Sequence, residues 1–191
     1  MTEQPRLVLA SGSPRRARII DSLGIPFKRV VTDVDETLRS GADPAQEAER
    51  LARLKGETAA QGESLPVLAA DTMVVMNGVV FGKPSSPADA ERMLGVLQGR
   101  FHEVVTGVCV VSNGTTLSQV ARTQVELATM SSSEIRDYVA TGEPLDKAGA
   151  YHIDGKGAVY VVQVLGSPSN VAGLPVRLAC RLLGEVGVSV F

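Results

Sequence analysis

The chain has 191 residues, 44% hydrophobic and 21% charged, a balance that suits one globular domain and excludes a disordered or low-complexity chain. Nineteen Lys and Arg against 21 Asp and Glu leave a net charge of -2, so no general field gathers nucleic acid or an anionic membrane, and any anion site must be local. Two histidines and two cysteines without CxxC spacing are too few for a zinc site on those ligands.

The opening MTEQPRLVLASGS carries only a short apolar run, too short for a signal peptide or a membrane span, which points to the cytoplasm. Arg6–Ala10 reads as a strand. SGS follows, and Ser13 with Pro14 opens a helix with Ile20 and Leu23 on its inner face and Gly24 as terminator. Asp43, Pro44 and Gln46 start a second helix that runs to about Ala59, with Ala48, Leu51 and Ala52 at helical spacing and a charged opposite face. Val67–Met76 and Val79–Phe81 flank Asn77-Gly78, the dipeptide of a type I′ hairpin. Ser86, Pro87 and Asp89 open a helix with Met93, Leu94 and Leu97 inward and Gly99 at its end. Val104–Val111 reads as a strand, Ser112-Asn113-Gly114 as a turn, and Leu117–Ala128 as one or two further strands. Ser131 and Glu134 start a short helix. After a glycine-rich stretch, a strand at Ala158–Leu165 and a helix at about Pro175–Leu183 complete the chain. This alternation means α/β or α+β. No repeat, linker or composition shift marks a boundary, so residues 1–191 read as a single domain. Cys109 and Cys180, both among apolar neighbours, read as buried thiols of a reducing compartment.

Several polar residues stand where packing alone does not need them. Ser11, Gly12, Ser13, Pro14, Arg15 and Arg16 combine a helix start with two hydroxyls and two guanidiniums, which suits a phosphate; an ordinary capped helix with solvated arginines fits the same residues. Asp71 and Thr72 interrupt the apolar run VLAADTMVV, and alternation puts Asp71 on the face of Val67, Ala69, Met73 and Val75. A carboxylate there asks for a partner such as a metal ion or a Lys, unless the strand lies at an edge and meets water. Lys83, in the proline-ended FGKP, is not part of a P-loop, because Pro84 stands where Ser or Thr should hold magnesium. Asp35, Glu36 and Lys55 taken singly are solvated charges. Asp146, Lys147, Gly149, Tyr151, Asp154, Gly155 and Gly157 crowd into a loop of the kind that wraps a ligand.

The ordered set ASGSPRRARIIDSLG, AADTMVVMNG, GKP and GEPLDKAGAYHIDGKGA, with a later GLP, resembles over essentially the whole chain the Maf family of nucleoside triphosphate pyrophosphatases, also described as septum-formation-inhibitor-like proteins. The resemblance implies an α/β fold similar to the inosine triphosphate pyrophosphatases, a mixed twisted sheet flanked by helices with two lobes around a cleft. It implies hydrolysis of a nucleoside triphosphate to monophosphate and pyrophosphate with Mg2+, or Mn2+ or Co2+ in its place, and a homodimer. Carried onto matching positions, it makes Asp71 the proton acceptor and, with Glu36, a metal ligand. Ser11, Arg15 and Arg16 would lie on the triphosphate, with Lys55 and Lys83 adding charge. Arg16 and Thr72 match positions tied to substrate choice in the branch that prefers dTTP and UTP. Asp154, in AYHIDG, stands where that branch usually has Gln; an ionised carboxylate only accepts hydrogen bonds where an amide also donates, which leaves the preferred base open. The alternative is a nucleotide-sensing regulator of septum formation that binds without turnover. A phosphotransferase is disfavoured, since neither a P-loop nor a kinase motif set is present.

Overall fold

The structure is a computed structural model and describes residues 4–189. In chain order it contains β1 (Leu7–Ala10), α1 (Pro14–Ser22), β2 (Phe27–Val30), α2 (Pro44–Ala59), β3 (Val67–Met76), β4 (Val79–Phe81), α3 (Pro87–Leu97), β5 (Phe101–Ser112), β6 (Thr115–Leu127), α4 (Ser132–Ala140), β7 (Val161–Leu165), α5 (Pro168–Val171) and α6 (Val176–Glu185). The strands form one seven-stranded mixed sheet in the order β2-β1-β3-β5-β6-β7, with β4 paired to β3. β1 runs parallel to β2 and β3, while the β3/β4 and β6/β7 pairs are antiparallel. The mixed α/β class expected from the sequence is the class observed. No helix among the described residues is long and apolar enough to cross a membrane.

The chain divides into two compact units. The first holds the chain up to Asp71, Thr106–Ala121 and the chain from Gly173 onward. Its strands β1, β3 and β5 are apolar on both faces, as strands covered from both sides must be. Leu7, Leu9, Leu68, Ala70, Val108 and Val110 meet Ile20 of α1 and Ala179, Leu182 and Leu183 of α6. The alternate residues Val8, Ala10, Val67, Ala69, Cys109 and Val111 meet Ala52 of α2. Two glycines let α2 lie close on that face. A Cβ on Gly56 would sit 3.1 Å from Cys109 Sγ, and one on Gly107 would sit 2.2 Å from the Ala48 carbonyl oxygen. The α1 N-terminus is capped as the sequence predicts, by Ser13 with Pro14 in the first turn, and Gly24 follows the helix at φ 68°.

The second unit holds Thr72–Val105 and Arg122–Ala172. Val74, Met76 and Phe81 of the hairpin pack with Met93, Leu94 and Leu97 of α3 and Ile135, Tyr138 and Val139 of α4. The hairpin turn has Asn77 at φ 50° and Gly78 at φ 76°, the left-handed pair that a type I′ turn requires. The α4 start is a complete capping box of Ser131 and Glu134. Within this unit His102 Nε2 lies 2.9 Å from the Tyr151 hydroxyl, and burial pushes the His102 imidazole down to about 4, so it is neutral at physiological pH.

Four readings need correction. The strand placed at Ala158–Leu165 begins only at Val161, because Lys156–Tyr160 forms a 3-10 turn whose Lys156 and Gly157 N–H groups donate to Glu143. β3 lies between β1 and β5, so the edge-strand reading of Asp71 fails. Cys180 is half-buried rather than buried, whereas Cys109 is fully buried and burial pushes its thiol up to about 12. Lys55 is not a solvated charge, since only 12% of its side chain is exposed.

Candidate active site

The site begins with strand alternation. β1 pairs with β3 through Ala10 and Ala69. Beyond that pair β1 gives way to the Ser11 loop, whereas β3 continues to Asp71. Asp71 therefore lies at the carboxyl end of a parallel pair, on the face that α2 covers, where open α/β sheets place their ligands. From α2, Lys55 reaches across and donates to Asp71 Oδ1 at 2.6 Å. The same ammonium lies 2.9 Å from Glu36 Oε2. Asp71 and Lys55 have side chains 11% and 12% exposed, while Glu36 is 58% exposed. One buried ammonium thus draws two carboxylates to a single point that remains open on the Glu36 side.

The Ser11–Arg16 segment forms the basic part of the same unit. Ser11 is buried, and its Oγ accepts the Ser13 N–H at 3.1 Å and an Arg16 Nη1 hydrogen at 3.4 Å. With both acceptor positions used, its own O–H proton is what the hydroxyl can offer a ligand. Arg16 also donates from Nε to the Gly173 carbonyl at 2.7 Å. Burial lowers the Arg16 pKa; the charges of Asp71 and Glu36 oppose that fall and the neighbouring Arg15 adds to it. The four side chains therefore share one electrostatic environment. Ser11, Arg15, Arg16, Glu36, Lys55 and Asp71 are brought together within the first unit.

Thr72, Lys83 and Asp154 belong to the second unit. Thr72 is half-buried, and Lys83 and Asp154 are exposed. The loop that carries Lys83 is joined to the glycine-rich loop by the Gly149 N–H, which donates to the Gly82 carbonyl at 3.1 Å. Gly149 has φ 70° and approaches Val74 so closely that a Cβ would fall 2.9 Å from it. Glu143 organises the Asp154 loop by accepting from the Tyr138 hydroxyl at 2.9 Å and from the Lys156 and Gly157 N–H groups at 3.0 Å each.

Sequence reasoning missed three supporting residues. Arg29 of β2 donates to the Ser11 and Gly12 carbonyls and steadies the loop from below. Glu143 stands in GEPLD with nothing to distinguish it from a surface acid. Glu47 lies on the buried side of α2, 2% exposed, where it accepts from Arg39 and Arg50. The charged hydrogen bonds of Arg50, together with those of Arg39, hold the Glu47 carboxyl down to about 2 against the effect of burial. Its spacing of three from Arg50 was the available signal.

The donor set can be tested against a metal. No group of three or more His, Cys, Asp or Glu side chains is gathered for a metal among the described residues. Two carboxylates converging on one cation-filled point, Asp71 and Glu36, match a magnesium ion that takes one or two carboxylates and completes its shell with water and phosphate oxygens. They do not match a closed structural zinc site.

The profile of the family described as Maf-like protein matches residues 6–186. The chain belongs to the Maf family. Among its relatives, a protein of Chromobacterium violaceum named dTTP/UTP pyrophosphatase is 44% identical, with 97% of each chain covered. One of Anaeromyxobacter dehalogenans with the same name is 49% identical, with 96% of this chain and 95% of that one covered. Among solved structures, a HAM1 protein from Coxiella burnetii matches with a TM-score of 0.51 at 20% identity, over 66% of this chain and 75% of that one. That likeness is one of fold.

Proposed function

We propose that this Maf protein hydrolyses a nucleoside triphosphate to the monophosphate and pyrophosphate, and that dTTP and UTP are its first candidate substrates. The observation that carries the reading is the convergence of Asp71 and Glu36 on Lys55 in the unit that also holds the Ser11–Arg16 helix start. The relatives' name, dTTP/UTP pyrophosphatase, supports both the reaction and the bases.

In this mechanism a water molecule attacks the α-phosphorus, its oxygen forms the new P–O bond, and the bond to the bridging oxygen of the pyrophosphate breaks. Asp71 accepts the proton of the attacking water. Arg15, Arg16 and the Ser11 hydroxyl hold phosphate oxygens and offset the charge that develops on the leaving pyrophosphate. Lys55 keeps the Asp71 carboxylate aimed by its 2.6 Å hydrogen bond. Asp71 and Glu36 would hold magnesium, which when bound supplies charge neutralisation on the phosphates and a more acidic water. For Lys83 as a further phosphate cation, and for Thr72 and Asp154 as base-selecting residues, the support is the family motif in which each stands.

The experiment is pyrophosphate release from a panel of nucleoside triphosphates with and without magnesium, on the wild type and Asp71→Asn. The expected result is magnesium-dependent release, fastest for one or both of dTTP and UTP. Turnover in Asp71→Asn should fall by roughly 100- to 10,000-fold, the range of general-base assistance, with folding retained. Nucleotide binding without release by the wild type would overturn the proposal in favour of a sensor.

A further inference from the structure

Glu36 is the one member of the carboxylate pair that no regular element holds. It lies in the irregular stretch between β2 and α2, with no strand or helix on either side until Pro44. An exposed carboxylate on such a stretch would ordinarily sample many positions. Three contacts lay this stretch along α2. The Arg39 N–H donates to Glu47 Oε2 at 3.1 Å and Arg39 Nε to Glu47 Oε1 at 2.6 Å. Arg50 Nη2 donates to the Thr37 carbonyl at 3.0 Å and to Glu47 Oε2 at 2.8 Å. Glu36 then meets Lys55. The partners descend from residue 39 to 36 on one side while they climb from 47 through 50 to 55 on the other, so the stretch runs antiparallel to the helix. The lengths agree. Eight helical residues rise about 12 Å, and three extended steps span about 10 Å, with the side chains bridging the remainder.

We propose that Glu47 is a positioning residue for the site. Through Arg39 and Arg50 it fixes the register of the Thr37–Arg39 stretch on α2, and so delivers the Glu36 carboxylate to Lys55 and Asp71. Burial of a carboxylate at 2% exposure is tolerated because two guanidiniums and a backbone N–H surround it. The same helix carries Glu47 and Lys55, so the anchor and the target move together. The inference rests on the reading of Glu36 as part of the pyrophosphatase site.

The test is a double-mutant cycle on the full chain with Glu47→Gln and Glu36→Gln, read as kcat/KM for pyrophosphate release and as the magnesium concentration at half-maximal rate. Limited trypsin digestion at Arg39 is followed in parallel. Glu47→Gln keeps size and some hydrogen bonding but loses the charge that grips both arginines. The expected result is a fall of about 10- to 100-fold in kcat/KM, a rise in the magnesium requirement, and faster cleavage after Arg39. In the Glu36→Gln background the Glu47 change should cost little further activity, because the group it delivers is already gone. Multiplicative losses in the double variant would overturn the proposal, since a merely structural role acts whether or not Glu36 is present. So would wild-type activity and wild-type trypsin resistance in Glu47→Gln. If Glu47→Gln does not fold, Arg39→Ala, which alters a side chain 61% exposed, completes the same kinetic cycle, and because it removes the trypsin site, faster amide exchange over residues 36–39 is the readout in place of cleavage. A wild type without pyrophosphate release would remove the functional reading, while the rate of trypsin cleavage at Arg39 would still confirm or refute the anchor.

Discussion

Gly107→Ala isolates the close approach of α2 to β5 on which the site depends. An added Cβ would stand 2.2 Å from the Ala48 carbonyl oxygen, 2.4 Å from its carbon and 2.6 Å from the Glu49 nitrogen. All three are helix backbone, so no rotamer change relieves the clash, and α2 must withdraw by about 1 Å to restore ordinary contact. Overpacking a filled core costs about 1 to 3 kcal/mol and occasionally more; a clash with backbone belongs at the upper end, near 3 kcal/mol. At roughly 2 to 4 °C per kcal/mol for a protein of this size, the thermal midpoint should fall by about 6 to 12 °C. The same displacement carries Lys55 away from Asp71, and misplacement on the order of 1 Å at a catalytic group can cost about 100-fold in rate. Differential scanning calorimetry and pyrophosphate release on the purified variant measure both effects. Gly95→Ala is the control: Gly95 is exposed inside α3 with nothing within 4 Å of its built Cβ, so Ala there should raise stability by about 0.5 to 1 kcal/mol. A Gly107→Ala protein that melts within about 2 °C of wild type would refute the argument that this glycine sets the distance of α2 from the sheet.

Lys55→Met removes the ammonium shared by Asp71 and Glu36; losing a charged hydrogen bond of about 1.5 to 3 kcal/mol should lower kcat/KM by roughly 10- to 150-fold, and unchanged steady-state kinetics would remove Lys55 from the site. Glu143→Gln leaves the Lys156 and Gly157 N–H groups and the Tyr138 hydroxyl with a weaker acceptor, so amide exchange at Lys156 and Gly157 should quicken and discrimination between bases should narrow, as read by mass-resolved hydrogen exchange and the substrate panel. The depressed pKa of Glu47, about 2 against an ordinary 4.5, means that its ion pairs stabilise the fold fully above pH 4.5 and lose that effect as pH falls toward 2. Thermal midpoints measured from pH 6 down to pH 2.5 should therefore drop more steeply for wild type than for Glu47→Gln, and parallel curves would contradict the assignment.

Much of the local architecture was legible in the chain. Ser13-Pro14, Asn77-Gly78 and the Ser131/Glu134 box each act through backbone geometry within a few residues, so helix starts and the hairpin could be placed from sequence. The run VLAADTMVV already marked Asp71 as a carboxylate in need of a partner. The Lys83 and Asp154 motifs were visible too, but as family resemblance rather than as chemistry. Two of the failures share one reason. The strand start misplaced at Ala158 and the overlooked burial of Glu47 both turn on hydrogen bonds between residues apart in the chain, with Glu143 in the first case and Arg39 in the second.

Short-range rules of dihedral preference, capping and alternation thus determined which segments become helices and strands, and which side of β3 Asp71 faces. Only the tertiary structure decided that the partner of Asp71 is Lys55, that Ser11 is held by Arg16, and that Glu47 is an anchor rather than a solvated acid. A charge has the same formula in water and in a core. Its energy is set by the neighbours that replace the water, and those neighbours are known only when the chain has closed on itself.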